Sequence, residues 1–144
     1  MKLLVLLAFS FTLFNTGLIW TIQIVHYPGF LKVGKEMYGA YQQFHMKAIT
    51  MVVGPSMLAE LLFSGLILIF LAQLGDSRIF YLLTLILLAG IWLHTAFWAV
   101  PLHSKLAAGF DKEAINALIA ANWWRTMAWS VRAVLLGIVV YKLL

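Results

Sequence analysis

The sequence predicts an all-α fold: an integral membrane four-helix bundle with a short amphipathic interfacial helix between spans one and two. Three observations carry that prediction. Of the residues, 64% are hydrophobic and only 10% are charged, and the mean hydropathy of +0.98 lies far above that of an ordinary soluble domain. Four apolar runs, at about residues 3–25, 48–73, 79–100 and 118–141, each reach the ~20 residues a helix needs to cross a hydrocarbon core of ~30 Å. The segments between the runs are short and hold the helix breakers, so residues 1–144 read as a single transmembrane domain.

The first run follows Lys2 and resembles a signal peptide at its start, but it stays apolar to Val25 and no small-residue cleavage site follows its early core, so it is taken as a true span. Runs two and three are joined by LGDS, a tight turn at Gly75–Asp76, which makes them antiparallel neighbours. Residues 29–47 begin at a Pro28–Gly29 break and then read as the amphipathic helix, with Tyr38, Tyr41 and His45 on one face. Gly54–Pro55 predicts a kink in span two, and Pro101 is expected to end span three. Asp111 is placed to cap a helix that runs without a breaker into span four.

The net charge of +5 in so apolar a chain points to membrane lipid headgroups and not to nucleic acid. The two longer connections carry Lys32, Lys35, Lys47, Lys105 and Lys112, against Lys2, Arg78 and Lys142 on the other side, which favours cytoplasmic long loops. The absence of cysteine excludes disulfides, thiolate metal sites and iron–sulfur clusters.

Polar residues inside the spans are the candidate functional groups. At 100° per residue, Asn122, Arg125, Trp129 and Arg132 fall within about 80° of arc on span four. Thr12, Asn15, Thr16, Gln23 and His26 share one face of span one, and Ser56, Glu60 and Ser64 share one face of span two. His94 and Trp98 are one turn apart on span three. A charge facing hydrocarbon costs at least about 2.5–3.5 kcal/mol, so these stripes are expected to face one another.

Depth divides them. Glu60 and Arg132 lie near mid-span with Asn15 and predict a structural ion pair assisted by an amide. Arg125, Asn122, His94, Gln23 and His26 lie nearer the long-loop surface, with His45 and His103 at its edge. There His94 or His26 is the candidate acid–base residue, and Arg125 the candidate for holding an oxyanion or carboxylate. Asn122, Trp98, Trp129 and Gln23 are expected to line a pocket for an apolar small molecule, with Tyr38 and Tyr41 as its lid. Neutral imidazoles also suit a metal, and His26, His45 and His94 are the candidate ligands, although no H-x-x-x-H or E-x-x-H pair is present. Metal, haem and no cofactor all stay open at this point. Gly65, Gly90 and Gly137 permit close helix approach, within one chain or in a homo-oligomer.

Thr95, Pro101–Leu102 and the Trp129–Ser130–Val131–Arg132 stretch resemble a pattern of the anthrone oxygenase-like family of small four-helix membrane proteins, over the last third of the chain. His103 stands where that family usually has an asparagine. The resemblance implies oxidation of an aromatic, ring-fused substrate with little cofactor. In size and layout the chain is also similar to membrane protoporphyrinogen oxidases, which hold haem by histidine, but it lacks the aromatic-basic signature of their first span. The function expected is therefore a membrane oxidoreductase acting on an apolar or aromatic substrate. The alternative is a non-enzymatic lipid-binding or membrane-complex assembly subunit, in which the polar stripes only hold helices together. A transporter ranks lowest, because four short helices enclose little space and no inverted repeat is visible.

Overall fold

The computed structural model describes residues 1–143, and these fold into an all-helical chain. Three of its helical stretches, Lys2–Lys32, Tyr38–Leu106 and Lys112–Leu143, are long and apolar enough to cross a membrane. Their outer surface carries large exposed side chains such as Leu3, Phe44, Ile69, Ile86 and Phe97, as expected of helices solvated by lipid.

Helix α1 spans Lys2–Thr21. It does not break at Pro28–Gly29. A π turn at Ile22–His26 closes with the Tyr27 N–H bonded to the Ile22 carbonyl, five residues back. A single turn α2, Tyr27–Gly29, then carries Pro28 near its start, and a 3₁₀ turn at Phe30–Lys32 ends the rod. The wider π turn takes up the register that proline would otherwise break.

Helix α3 runs unbroken from Tyr38 to Ile67. The expected separate amphipathic helix is therefore the first turns of this long helix, because nothing between Tyr38 and Lys47 breaks it. Pro55 is accommodated within α3 without ending it. The stretch Tyr38–Leu106 turns back at Leu68–Ser77, where Phe70 (φ −110°, ψ 18°) and Gly75 (φ 52°, ψ −129°) leave helical geometry. Positive φ at Gly75 is cheap only without a Cβ, which is why glycine occupies the turn.

Helix α4, Arg78–His94, repeats the device of α1. A π turn at Thr95–Ala99 leads directly into α5, Val100–Leu106, with Pro101 near its start. Pro101 thus does not end the third rod, which continues to Leu106. Helix α6 spans Lys112–Leu143. Asp111 caps it by accepting the Ala114 N–H at 2.9 Å and meets Lys105 at 2.7 Å. Those two contacts hold the Asp111 carboxyl below the usual carboxylate range.

Packing follows the order α3, α1, α6, α4. Helix α1 lies against α3 and α6, and α4 against α6, but α3 and α4 scarcely touch along their lengths. Gly90 admits the Trp124 ring so closely that a Cβ there would sit 2.7 Å from its edge. Two apolar clusters fill the interior, one around Ile19, Phe30, Met57, Leu118 and Trp129, the other around Val5, Ile67, Tyr81 and Leu136. A polar layer separates them.

Candidate functional site: a lateral cleft above a closed polar tier

The polar layer between the two clusters is built on Glu60, which is fully buried. Its Oε1 accepts hydrogen bonds from Thr12 Oγ1 (2.6 Å) and Arg132 Nε (2.9 Å), and its Oε2 accepts from Asn15 Nδ2 (2.9 Å) and Trp129 Nε1 (3.1 Å). Four donors fill the four acceptor positions of a carboxylate. Arg132 continues outward, with Nη2 donating to Ser64 Oγ at 2.6 Å and Nη1 to the Thr84 carbonyl. The Tyr81 hydroxyl donates to the Ser64 carbonyl. Asn15 Oδ1 accepts from Ser56 Oγ at 2.7 Å. The tier thus ties α1, α3, α4 and α6 together and leaves the carboxylate no free lone pair.

Toward the long-loop end a second network centres on Arg125. Its Nε and Nη2 donate to Asn122 Oδ1, the former at 3.0 Å. Nη1 donates to Thr95 Oγ1 at 3.2 Å and Nη2 to the Tyr27 hydroxyl at 3.4 Å. Behind the guanidinium, Asn122 Nδ2 donates to Gln23 Oε1 at 2.8 Å, and Gln23 Nε2 donates to the Ile119 carbonyl at 3.2 Å. In front, the Tyr27 hydroxyl lies 2.9 Å from His103 Nε2, and Gln42 Nε2 lies 2.9 Å from His103 Nδ1.

Where α3 and α4 fail to meet, a cleft of about 410 Å³ opens between them. Val53, Gly54 and Met57 of α3 form one wall, and Trp92, Thr95 and His103 the other. Asn15 and Ile19 of α1, with Arg125 and Trp129 of α6, lie at its base. Exposed Thr50, Leu58 and Val100 belong to the same lining, so the mouth lies on the apolar flank of the molecule. The Gln42–His103 contact bridges α3 and α5 at one end of the cleft, and the Tyr81–Ser64 contact bridges α3 and α4 below it.

No family model matches the chain, and no curated protein or solved structure is significantly similar to it. The site has to be read from its own chemistry.

Of the residues singled out by sequence, Arg125 and Trp129 line the cleft, and Asn122 and Gln23 stand directly behind Arg125. Asn15, Thr95 and His103 line it too, whereas His94, Trp98, Tyr38, Tyr41 and His26 lie elsewhere. His94 is stacked between the rings of Trp98 and Trp124, at centroid distances of 5.5 and 5.3 Å, outside the cleft. Trp98 is 56% exposed and does not line the cleft. Tyr38 is fully buried edge-on to Phe110, and Tyr41 packs on Phe30, so neither forms a lid. His26 bonds His45 through Nε2···Nδ1 at 2.7 Å beside the network and does not line the cleft.

The metal set His26, His45 and His94 is not assembled, and no group of three His, Asp or Glu able to hold a metal exists among the described residues. The physical reason is helical phase. Residues 94 and 98 do share a face, as their spacing requires, but it is the outer face of the third rod. Thr95, Ala99 and His103 present the inner one.

Sequence reasoning missed Tyr27 as a site residue, placed His103 only at the edge of the pocket, and singled out Thr95 only through the family resemblance. Tyr27 directly precedes Pro28, and His103 follows Pro101, so each sat beside a residue read as terminating a span. Their signal was a polar group one or two residues from a proline that, after a π turn, does not stop its helix.

Proposed function

We propose that the chain crosses the bilayer four times, the stretch Tyr38–Leu106 folding back at Gly75, and that the α3/α4 cleft takes a lipid-soluble molecule sideways from the membrane. The apolar body of that molecule lies against Met57, Trp92 and Trp129. Its polar head meets Arg125, Tyr27 and His103. The observation that carries this reading is a cleft open on the apolar flank with a buried guanidinium at its base. In that position Arg125 is suited to stabilise negative charge on a bound oxygen, and the Tyr27 hydroxyl, bonded to His103, to exchange a hydrogen bond or proton with it. The basic long loops are assigned to the cytoplasmic side.

Small molecules co-purifying with the protein in mild detergent test the reading. Extracts of the wild type should contain an apolar compound that is lost from Val53→Trp, whose indole fills the cleft. Identical extracts from both would refute it.

A second reading is an oxidoreductase of aromatic, ring-fused substrates, the chemistry implied by the resemblance around Thr95, Pro101 and Trp129–Arg132. The flat indole walls of the cleft favour it. It requires that a candidate polycyclic phenol be turned over by the purified protein, with loss of turnover in Tyr27→Phe; an absorption spectrum and metal analysis of the same sample show whether a cofactor takes part.

A further inference from the structure

We infer that the head recognised in the cleft is a carboxylate, so that the molecule taken from the membrane is a lipid-soluble carboxylic acid bound as its anion. This rests on the lateral-cleft reading above and narrows it to a substrate class. Among the described residues the buried interior holds one acidic side chain, Glu60, and two guanidiniums, Arg125 and Arg132. Glu60 is consumed by Arg132 at 2.9 Å. Arg125, only 6% exposed, has no carboxylate within salt-bridge distance among the described residues. Its partners Asn122, Thr95 and Tyr27 are all neutral, and no Asp or Glu lines the cleft. A buried cation left in that state lacks one unit of negative charge. A bound anion supplies it through charge-assisted hydrogen bonds.

The pattern of bonds says where the anion sits. Asn122, which does not line the cleft, grips the back of the guanidinium with its two closest contacts. The contacts to Thr95 and Tyr27, which do line the cleft, are the longer ones at 3.2 and 3.4 Å. The first is at the long end of the ordinary range and the second beyond it, so both can be exchanged for a charged acceptor. Of the five guanidinium N–H groups, these contacts leave one on Nη1 unused. Trp92, in the same wall as Thr95, has a buried indole N–H with no acceptor among the described residues. The cleft is thus rich in donors and short of acceptors.

Charge and access select a carboxylate over a phosphate. A single uncompensated cation matches a monoanion. A mouth on the apolar flank must be reached through hydrocarbon, which a carboxylic acid enters in its neutral form, whereas a phosphate monoester keeps its charge and is excluded. Binding then releases one proton to water as the acid ionises against Arg125.

The test is equilibrium binding of radiolabelled palmitate, methyl palmitate and monohexadecyl phosphate to the full-length protein in nanodiscs. Palmitate should bind about tenfold or more tightly than its methyl ester, as expected for one charge-assisted contact. Arg125→Gln should abolish that preference and Tyr27→Phe, an isosteric change, should weaken it severalfold. Should Arg125→Gln fail to fold, the Tyr27→Phe comparison decides alone. Equal binding of palmitate and methyl palmitate, blocked by Val53→Trp, would leave the lateral cleft intact and overturn the carboxylate. Tighter binding of the phosphate would overturn the class in favour of a phospholipid-like head. Absence of binding by all three overturns the carboxylate, and if co-purified extracts of wild type and Val53→Trp are also identical, the cleft reading falls with it.

Discussion

Two arginines lie two turns apart on one face of α6, and their surroundings are opposite. Arg132 is fully buried and tied to a carboxylate that is itself saturated by Thr12, Asn15 and Trp129. Arg125 is nearly as buried, yet it is held by neutral groups and borders an open cleft. The same side chain is paired with a carboxylate in one tier and with neutral groups in the other. What separates them is whether the neighbouring helices close. Below, Ser64, Tyr81 and Thr84 draw α3 and α4 together through Arg132. Above, α3 and α4 stand apart and, among the described residues, nothing acidic reaches the guanidinium.

The largest effect expected from that contrast is at the staple. Arg132→Met or Glu60→Met alone strands a buried charge and should cost about 3–5 kcal/mol. The double variant should recover most of that loss, which a double-mutant cycle of unfolding in detergent would measure. Additive losses would mean that the pair is not the unit that holds the tier.

Arg125→Met should behave differently. It forfeits hydrogen bonds to Asn122, Thr95 and Tyr27 but also removes an uncompensated cation, so its net cost should stay within about 1–2 kcal/mol. Its binding of a lipid-soluble acid should fall about tenfold or more. At the next level, His103→Phe breaks the contacts to Tyr27 and Gln42 and should weaken binding severalfold, while His94→Phe, a change within an aromatic stack outside the cleft, should leave binding as it is. A reversed order would move the site to the outer face of α4.

The smallest effect is at Asp111, which belongs to neither tier. Its carboxyl is held below its unfolded value by Lys105 and the Ala114 N–H. The stability it contributes is therefore present above the ordinary aspartate range, about pH 4, and is lost as the pH falls through the lower, folded-state value. Asp111→Asn should lower the melting temperature slightly at neutral pH and leave it unchanged below the folded-state value, which flattens that acid limb.

The lower tier was legible in the sequence because two quantities sufficed to find it. Depth put Glu60, Arg132 and Asn15 at one level, and helical phase put each on an inward face. The cap at Asp111 and the turn at Gly75 were legible from local chemistry for the same reason. The cleft was not, because it depends on which pair of helices fails to touch, and polar stripes on every helix do not choose among pairs. The two π turns hid the rest. By carrying the first rod past Pro28 and the third past Pro101 they turn Tyr27 and His103 inward beside the prolines at which a proline rule ends the helix. His94, whose spacing to Trp98 made it look like a site residue, faces outward on the same rod.

The claim that the two tiers differ in kind is tested most directly by unfolding wild type, Arg125→Met and Arg132→Met side by side in one detergent without added ligand. Arg132→Met should show a large loss, and Arg125→Met a loss less than half as large, or a gain. Equal losses would contradict that claim, because Arg125 would then be a second staple and not a cation held by neutral groups alone.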